Sequence, residues 1–373
     1  MRRFVRHRSA GFLATGSMST ELVELTDNAE ALASAAAVIA TQTRVPVDTE
    51  ADSLHCYFEK LCLIQISVPG HDFLVDPLAG LDLTPLWQSW LGKELIFHGA
   101  DYDLRLLRRT GCQMPARIFD TMLAARLVGL KEVSYAALMD RFFQVTIAKA
   151  SQKANWARRP LTPQMLEYAV NDTRHLAALA DILSADLDRQ GRRAWFDQLC
   201  ERAIRAAEMD KEVEPDQVWR VPGSGHLRGR PAAIFRELWK WRDEEARRVD
   251  KPTFHIVHTD LLVDAAVRFD DGQRVDIRHL RGPRARKFFE AAERGLALPE
   301  SEWPKFEKRP RLRPTKAQLD RFDELKARRD QVATEHQIDP SLIAPKATLE
   351  GLSYRPEETL PKLLPWQREL LGL

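Results

Sequence analysis

The sequence lacks a long apolar run. No stretch of the 373 residues approaches the about 18 apolar residues that a membrane-spanning helix requires. The first segment, MRRFVRHRSAGFLATGSMSTE, is basic, but its apolar part is too short for a signal peptide. We therefore expect no membrane partner. We also expect residues 1–24 to form a disordered leader, in which Met18 offers an alternative start.

Cysteine is scarce and unclustered. The four cysteines, Cys56, Cys62, Cys112 and Cys200, form neither a CxxC pair nor a Cys/His cluster. This excludes the usual zinc-finger spacings, and the chain is too long to be a small disulfide-stapled secreted domain. The pattern favours a reducing cytoplasm.

Strong charge of one sign is also missing, because the net charge is only +2. The 44% hydrophobic and 29% charged residues are near globular averages and argue against disorder or a fibrous repeat. Residues 219–313, however, contain 22 Lys/Arg against 15 Asp/Glu. This local excess fits a phosphate-bearing partner and a solvated basic face about equally well.

The length predicts two or three domains. β-rich segments occupy residues 43–52, 61–68, 71–77 and 94–100. Pro69-Gly70 predicts an antiparallel turn between the second and third of them. Helices are predicted at 28–42, from 101 to the C-cap position at Gly111, and most clearly at 160–183. This alternation indicates an α/β domain that ends near residue 210.

Polar segments at 208–217 and 307–316 indicate linkers, and the regions beside the second linker resemble each other. Residues 238–262 align with 325–349. The matching pairs are Leu238 with Leu325, Arg242 with Arg329, Asp243 with Asp330, Ala246 with Ala333 and, after one inserted residue, Leu261 with Leu349. Two copies of a small helical module are therefore expected in tandem.

Acidic residues stand at three element ends. Asp48 and Glu50 are two apart on a strand and share one face. Asp103 lies where a strand gives way to a helix, and Tyr168 and Asp172 share one helical face. Taken singly, each has an ordinary explanation as a solvated acid or a helix-end charge.

Together, the flanking segments VDTEADSLHCYFEKLCLIQIS, LIFHGADYDLRLL and YAVND resemble the three motifs of the DEDDy 3′→5′ exonucleases, and of ribonuclease D in particular. FDTMLAARLVG and NWARRPLTPQMLEYA extend the resemblance over residues 25–205, with Asn155 where the family has Asp. The resemblance implies a ribonuclease-H-like mixed sheet flanked by helices over residues 25–210.

The resemblance also implies roles. Asp48, Glu50 and Asp172 would hold one divalent ion, and Asp48, helped by Asp103, a second, with Mg²⁺ or Mn²⁺ as the ions. Tyr168 would orient the attacking water, because a phenol is a poor base at neutral pH. Arg158 and Arg159 would contact substrate phosphates or support the acids, whereas His98 reads more simply as a core histidine.

The segment containing WRDEEARRVDKP resembles the helicase-and-RNase-D C-terminal (HRDC) domain, and LLPWQRELLG ends a diverged second copy. Two small all-α domains are expected, at 215–298 and 310–373. Arg242 is expected to contact the substrate, and Trp239 or Trp241 beside it would stack on an RNA base or pack against the neighbouring module. A further basic set is expected to contact phosphates: Arg228, Arg230, Arg281, Arg284, Arg286 and Lys287.

The function implied is a monomeric 3′→5′ exoribonuclease that trims tRNA precursors and other structured RNAs to nucleoside 5′-monophosphates. A DNA exonuclease of the same superfamily is one alternative, since two-metal hydrolysis does not need the 2′-hydroxyl. A nucleic-acid-binding scaffold with a decayed active site is another, although all four acids and the tyrosine are present.

Overall fold

A computed structural model of the chain describes residues 22–147, 151–209, 217–278, 280–305 and 314–373. Its sheet has six strands in the order β1-β4-β3-β2-β5-β6. The strands are β1 (Leu22–Thr26), β2 (Arg44–Ala51), β3 (Leu61–Val68), β4 (His71–Val75), β5 (Glu94–Phe97) and β6 (Arg117–Asp120).

α-Helices flank this sheet or follow it along the chain. They are α1 (Ala29–Ala40), α2 (Thr84–Ser89), α3 (Asp101–Arg109), α4 (Thr121–Leu127), α5 (Tyr135–Phe143), α6 (Pro163–Arg174), α7 (Leu176–Arg189), α8 (Arg193–Glu208), α9 (Gly229–Arg248), α10 (Thr253–Ile256), α11 (Thr259–Asp270), α12 (Gly282–Ala297), α13 (Lys316–Glu335), α14 (Pro340–Ile343), α15 (Lys346–Tyr354), α16 (Pro356–Thr359) and α17 (Pro365–Leu371). No described helix is long and apolar enough to span a bilayer.

The sheet is mixed, as expected. β2, β3 and β4 pair antiparallel, whereas β1 pairs parallel to β4, β5 to β2, and β6 to β5. All eight residues of β3 are buried, which fits its central position and its mainly apolar sequence LCLIQISV, in which Gln65 and Ser67 are the polar residues. The predicted α/β class with all-α modules after it is confirmed.

One compact unit contains residues 1–51, 61–210 and 313–373. The helices α13–α17 therefore share a hydrophobic core with the sheet domain. Trp366 stacks on Trp195 of α8 with 5.0 Å between ring centroids. Arg192, buried at the start of α8, donates to the carbonyls of Leu127 and His336. The last helices thus complete the core of the sheet domain.

The second compact unit contains residues 52–60 and 211–312. α9, α11 and α12 pack around their own core, where a Cβ at Gly295 would come within 2.5 Å of the Ile234 Cα. The hydroxyl of Tyr57 donates to Asp243 (2.8 Å), and Asp250 accepts the N–H groups of Tyr57 and Phe58 (3.0 Å each). Two acidic residues of WRDEEARRVDKP, Asp243 and Asp250, therefore form hydrogen bonds within this unit.

The two helical modules repeat at the level of single hydrogen bonds. Arg242 donates to the carbonyl of Val257, which follows α10, and Arg329 donates to the carbonyl of Ala344, which follows α14. Both bonds span 15 residues.

The inserted residue in the sequence alignment of the modules is wrong. Leu262 lies 24 residues after Leu238, as Leu349 does after Leu325 (262 − 238 = 349 − 325), and both are fully buried. Leu261, the residue matched from sequence, is 46% exposed. The correct pair is therefore Leu262 with Leu349, in one ungapped register.

Other expectations needed correction. The predicted leader lies outside the described residues up to residue 21, but residues 22–24 belong to β1. β6 was not predicted. The helix expected at 160–183 divides at His175 into α6 and α7. Both predicted linkers fall mostly on 210–216 and 306–313, outside the described ranges.

Candidate metal centre and active site

β2 presents two carboxylates on one face because its side chains alternate. Val45, Val47 and Thr49 point to the buried side, whereas Asp48 and Glu50 point to the opposite side and are half-buried. A register irregularity follows Glu50, where the pairing with β3 shifts. The strand therefore delivers both acids at its end, as predicted.

Asp103 reaches the same region from the first turn of α3 and is 6% exposed. Thr49 Oγ donates to its carboxylate over 2.5 Å, which links α3 to β2. The turn into α3 is held by Asp120, whose oxygens accept the N–H groups of Gly99 (3.0 Å) and Ala100 (2.9 Å). Gly99 has a φ of 85°, a conformation that glycine adopts readily.

Asp172 lies in the last turn of α6. Three residues next to it, Asn171, Thr173 and Arg174, form hydrogen bonds to other elements. Tyr135 donates its hydroxyl to the carbonyl of Asn171 (2.9 Å), and Thr173 Oγ bonds to Ser67 Oγ of β3 (2.7 Å). Arg174 donates to the buried Asp72 of β4. Asp172 is thereby fixed over the sheet although it lies near the break before α7.

The ligand oxygens of Asp48, Glu50 and Asp172 all lie within 4.8 Å of one another. Burial, followed by the charges of Asp172 and Asp103, raises the pKa of Glu50 to about 9. Burial raises the pKa of Asp172 to about 7, and burial with the neighbouring carboxylates raises that of Asp48 well above its usual range. Asp103 also has its pKa raised to about 7 by burial.

This arrangement fits a divalent cation. The charges that act on Glu50 and Asp48 are all negative, so these neighbouring groups of the described chain supply no counter-charge. Carboxylate oxygens are the hard ligands that Mg²⁺ and Mn²⁺ prefer. A cation between these groups would relieve their mutual repulsion. The exonuclease fold and this cluster together support the use of a divalent metal.

Tyr168 lies one helical turn before Asp172, and its ring is 6.0 Å from that of the buried Trp156. Burial and the charges of the nearby acids raise the pKa of its phenol above the ordinary value. The hydroxyl is therefore protonated at neutral pH and can donate a hydrogen bond, but it cannot act as a base there.

The arginines differ in their surroundings. Arg158 is exposed. Arg159 is also exposed, but its guanidinium donates to both oxygens of Asp76 (2.6 Å each) and to the carbonyls of Trp156 and Cys62. Arg159 thus supports Asp76, which is not one of the four predicted acids. Neither of its two expected roles, a phosphate contact or support of those four acids, included this interaction.

Arg242 is 4% exposed and bonds to Val257 and Thr259. Its burial argues against the predicted contact with substrate. Trp241 is likewise 3% exposed, and Trp239 is partly buried against the same core. Arg230, Arg284 and Arg286 form ion pairs with acids of their own unit.

Sequence comparison identifies the family. Residues 23–188 match the 3′-5′ exonuclease family, and residues 232–274 match the HRDC domain. Ribonuclease D of Zymomonas mobilis is 31% identical over 347 residues, which cover 88% of this chain and 86% of that protein. Ribonuclease D of a Jannaschia species is 32% identical over 340 residues, 86% of each chain.

The chain belongs to the ribonuclease D family. As a member, it is a hydrolytic 3′→5′ exoribonuclease. The fold agrees: the crystal structure of Escherichia coli RNase D superposes with a TM-score of 0.70 at 23% identity, covering 94% of this chain and 96% of that one. A Bifidobacterium adolescentis protein superposes at a TM-score of 0.79 with 24% identity, over 93% and 94% of the chains.

Asp120 is a residue that sequence reasoning passed over, although it lies in the family segment FDTMLAARLVG. Its carboxylate also caps α4 by accepting from Met122 and Leu123. Asp120→Ala would leave these N–H donors unpaired in a buried site, so we expect a loss of about 3 kcal/mol or more in unfolding free energy. Urea denaturation measures it. Asp82→Ala, which removes an exposed carboxylate that accepts from the N–H of Thr84, should cost much less; equal losses would contradict the assignment.

Metal affinity in this family member should rise with pH. Asp103 and Asp172 have pKa values raised to about 7 and Glu50 to about 9, so protons must leave before a cation binds. We expect Mn²⁺ to bind several-fold more tightly at pH 8.5 than at pH 6.5. Calorimetric titration in two buffers of different ionisation enthalpy would count the released protons; pH-independent binding without release would contradict the expectation.

Proposed function

We propose that this exoribonuclease removes nucleotides from the 3′ ends of tRNA precursors and other structured RNAs and releases nucleoside 5′-monophosphates. The observation that carries the proposal is the convergence of acids from β2 and α6 within 4.8 Å, with Asp103 beside them and Tyr168 one turn away. The HRDC domain at residues 232–274 adds a module associated with nucleic-acid binding.

The residue roles form part of the proposal. Asp48, Glu50 and Asp172 hold one divalent ion, and Asp48 with Asp103 holds a second. Tyr168 donates a hydrogen bond that orients the attacking water. The two ions, Mg²⁺ or Mn²⁺, supply charge stabilisation at the attacking and leaving oxygens when bound. Asp103, which already accepts a bond from Thr49, has fewer free lone pairs, in keeping with a supporting ligand.

Arg158 is proposed as a phosphate contact because its side chain is exposed just before α6, the helix that bears Tyr168 and Asp172. Arg159 and Arg242 were predicted in the same role, but their bonds within the protein do not support it. Arg158→Ala is therefore the informative variant for substrate affinity, and its effect should weaken with added salt.

The proposal extends to organisation. An exonuclease domain at 25–210 would be followed by an HRDC-type domain at 215–298 and by an HRDC-like module at 310–373. The described helices of that module, α13–α17, pack into the core of the exonuclease domain. The protein would be a monomer that works in the cytoplasm without an obligate protein partner. Its four free, buried cysteines are compatible with a reducing compartment. Light scattering coupled to size exclusion tests the monomer.

The experiment uses 5′-labelled RNA and DNA of one sequence, each with a duplex stem and a 3′ single-stranded tail, incubated with Mg²⁺ or Mn²⁺. The expected result is stepwise shortening of the RNA from its 3′ end, and no shortening by Asp48→Ala. Faster shortening of DNA would favour a DNA exonuclease instead. Binding without shortening of either strand would indicate a scaffold with a decayed site.

A further inference from the structure

A buried amide lies in the middle of the central strand. Gln65 of β3 is 0% exposed, and neither its amide nitrogen nor its amide oxygen makes a hydrogen bond to any described residue. Buried polar side chains are almost always paired, because leaving water without a partner is costly. An apolar residue would suit this position better unless the amide has a partner in the working protein.

The strand register shows which group that partner is. Gln65 is the cross-strand partner of Asp48 in the antiparallel pair β2–β3. Such partners project from the same face, with Cβ atoms about 5 Å apart. On its other side Gln65 is paired with Leu74 of β4, which is apolar and offers no side-chain hydrogen bond. Asp48 is therefore the polar residue directly opposite Gln65 in the sheet.

The same face is covered by α6. Ser67, two residues after Gln65 and hence on its face, bonds to Thr173 of α6. Leu74, beside Gln65, packs with Met165, Ala169 and Val170 of that helix. Gln65 is thus enclosed between β2 and β4 beneath the helix that carries Asp172. Its amide faces the layer in which the metal ligands meet.

We propose that Gln65 is a positioning residue for Asp48: its amide N–H donates to the Asp48 carboxylate when a divalent ion is bound. An ionised carboxylate only accepts hydrogen bonds, and the glutamine NH₂ group supplies donors without a positive charge that would compete with the ion. A hydrogen bond of this kind fixes the orientation of a metal ligand. The inference rests on the metal site of the proposed function.

Gln65→Met tests it, because methionine keeps the length and approximate volume of the side chain but removes both polar atoms. Leu74→Met is the matched control, since it changes the adjacent buried position on the same face. Mn²⁺ affinity is measured by calorimetric titration at pH 8, and thermal unfolding is measured in EDTA. Gln65→Leu repeats both measurements with a different apolar shape.

For Gln65→Met we expect Mn²⁺ affinity to fall about tenfold. We also expect the melting temperature in EDTA to stay the same or rise, because an unpaired buried amide has been removed. Leu74→Met should bind Mn²⁺ as the wild type does. Unchanged Mn²⁺ affinity in both Gln65 variants, or a weakened affinity accompanied by a lower melting temperature in EDTA, would overturn the inference. Failure of the wild type itself to bind Mn²⁺ would overturn the proposed metal site instead.

Discussion

Replacing Glu50 by glutamine is expected to reduce RNA hydrolysis by at least about a thousandfold and to stabilise the metal-free protein. Loss of a residue that only supports a metal ligand costs about 10- to 100-fold, and loss of a ligand itself, the role proposed for Glu50, should cost more. Glutamine keeps the shape of the side chain, so the fold should persist. Single-turnover cleavage of 3′-tailed RNA at saturating Mg²⁺ measures the loss.

The stability gain follows from proton linkage. The pKa of Glu50 is about 9 in the folded protein against 4.5 for the free side chain, so the folded state binds more protons between these pH values. Stability of the metal-free wild type therefore falls as pH rises from about 4.5 to about 9. Glutamine removes this dependence. At pH 8 we expect a gain of about 2 kcal/mol, a value reduced from the full shift to allow for solvent screening.

Glu167→Gln is the matched control, because Glu167 is an exposed carboxylate on α6 beside Tyr168. It should change neither hydrolysis nor stability by much. Denaturation in EDTA at pH 5 and pH 8 separates the outcomes. A Glu50→Gln protein that is active, or that is less stable than the wild type at pH 8, would contradict the assignment of Glu50 to a crowded acidic site.

Trp366→Ala is expected to destabilise the whole catalytic unit by about 3–5 kcal/mol, the usual cost of truncating a buried large aromatic side chain. Trp366 is 2% exposed, stacks on Trp195 and belongs to the core that contains the sheet. Trp366 lies only seven residues before Leu373, and its truncation should nevertheless affect the fold around β2 and α6.

Hydrogen exchange measures this coupling segment by segment. Trp366→Ala should speed amide exchange in α8 and in the central strands as well as in α13–α17. Trp241→Ala, which truncates a 3% exposed tryptophan in the core of the other unit, should speed exchange in α9 and α12 and spare α8. If Trp366→Ala affected α13–α17 alone, those helices would fold as a separate domain and the shared core would be wrong.

The acids were predictable because local sequence patterns placed each of them at an element end. Asp48 and Glu50 follow an apolar strand, Asp103 opens a helix, and the spacing from Tyr168 to Asp172 is one turn. Their convergence came only from the resemblance, since periodicity does not bring distant segments together. The structure places three of the carboxylates within one ligand set and the fourth beside Thr49.

Short or unpatterned elements were missed. β1 has five residues and β6 only four, too few to establish an alternation, and both are fixed by their pairing with β4 and β5. The hydrogen-bond and ion-pair partners of the arginine side chains could not be predicted from the sequence either. Arg159 finds Asp76, which is 83 residues away in sequence, and only tertiary structure brings the two together.

Residues that affect the site only through another residue were the hardest to predict from the sequence. Gln65 looks like an isolated interruption of an apolar strand, and its relevance appears only when the register aligns it with Asp48. Asp120 looks like an ordinary cap of α4, where it accepts the N–H groups of Met122 and Leu123. It also accepts the N–H groups of Gly99 and Ala100, which lie just before α3. Register and turn geometry, not residue type, give these side chains their importance.

The most direct test of the account is Mn²⁺ binding to the wild type and to Asp172→Asn, followed by calorimetric titration at pH 8. Asp172 comes from α6, whereas Asp48 and Glu50 come from β2, so one substitution asks whether the two elements build one site. We expect the wild type to bind Mn²⁺ and Asp172→Asn to bind at least about 100-fold more weakly, with its fold intact by circular dichroism. Equal affinities would contradict a metal centre shared by β2 and α6.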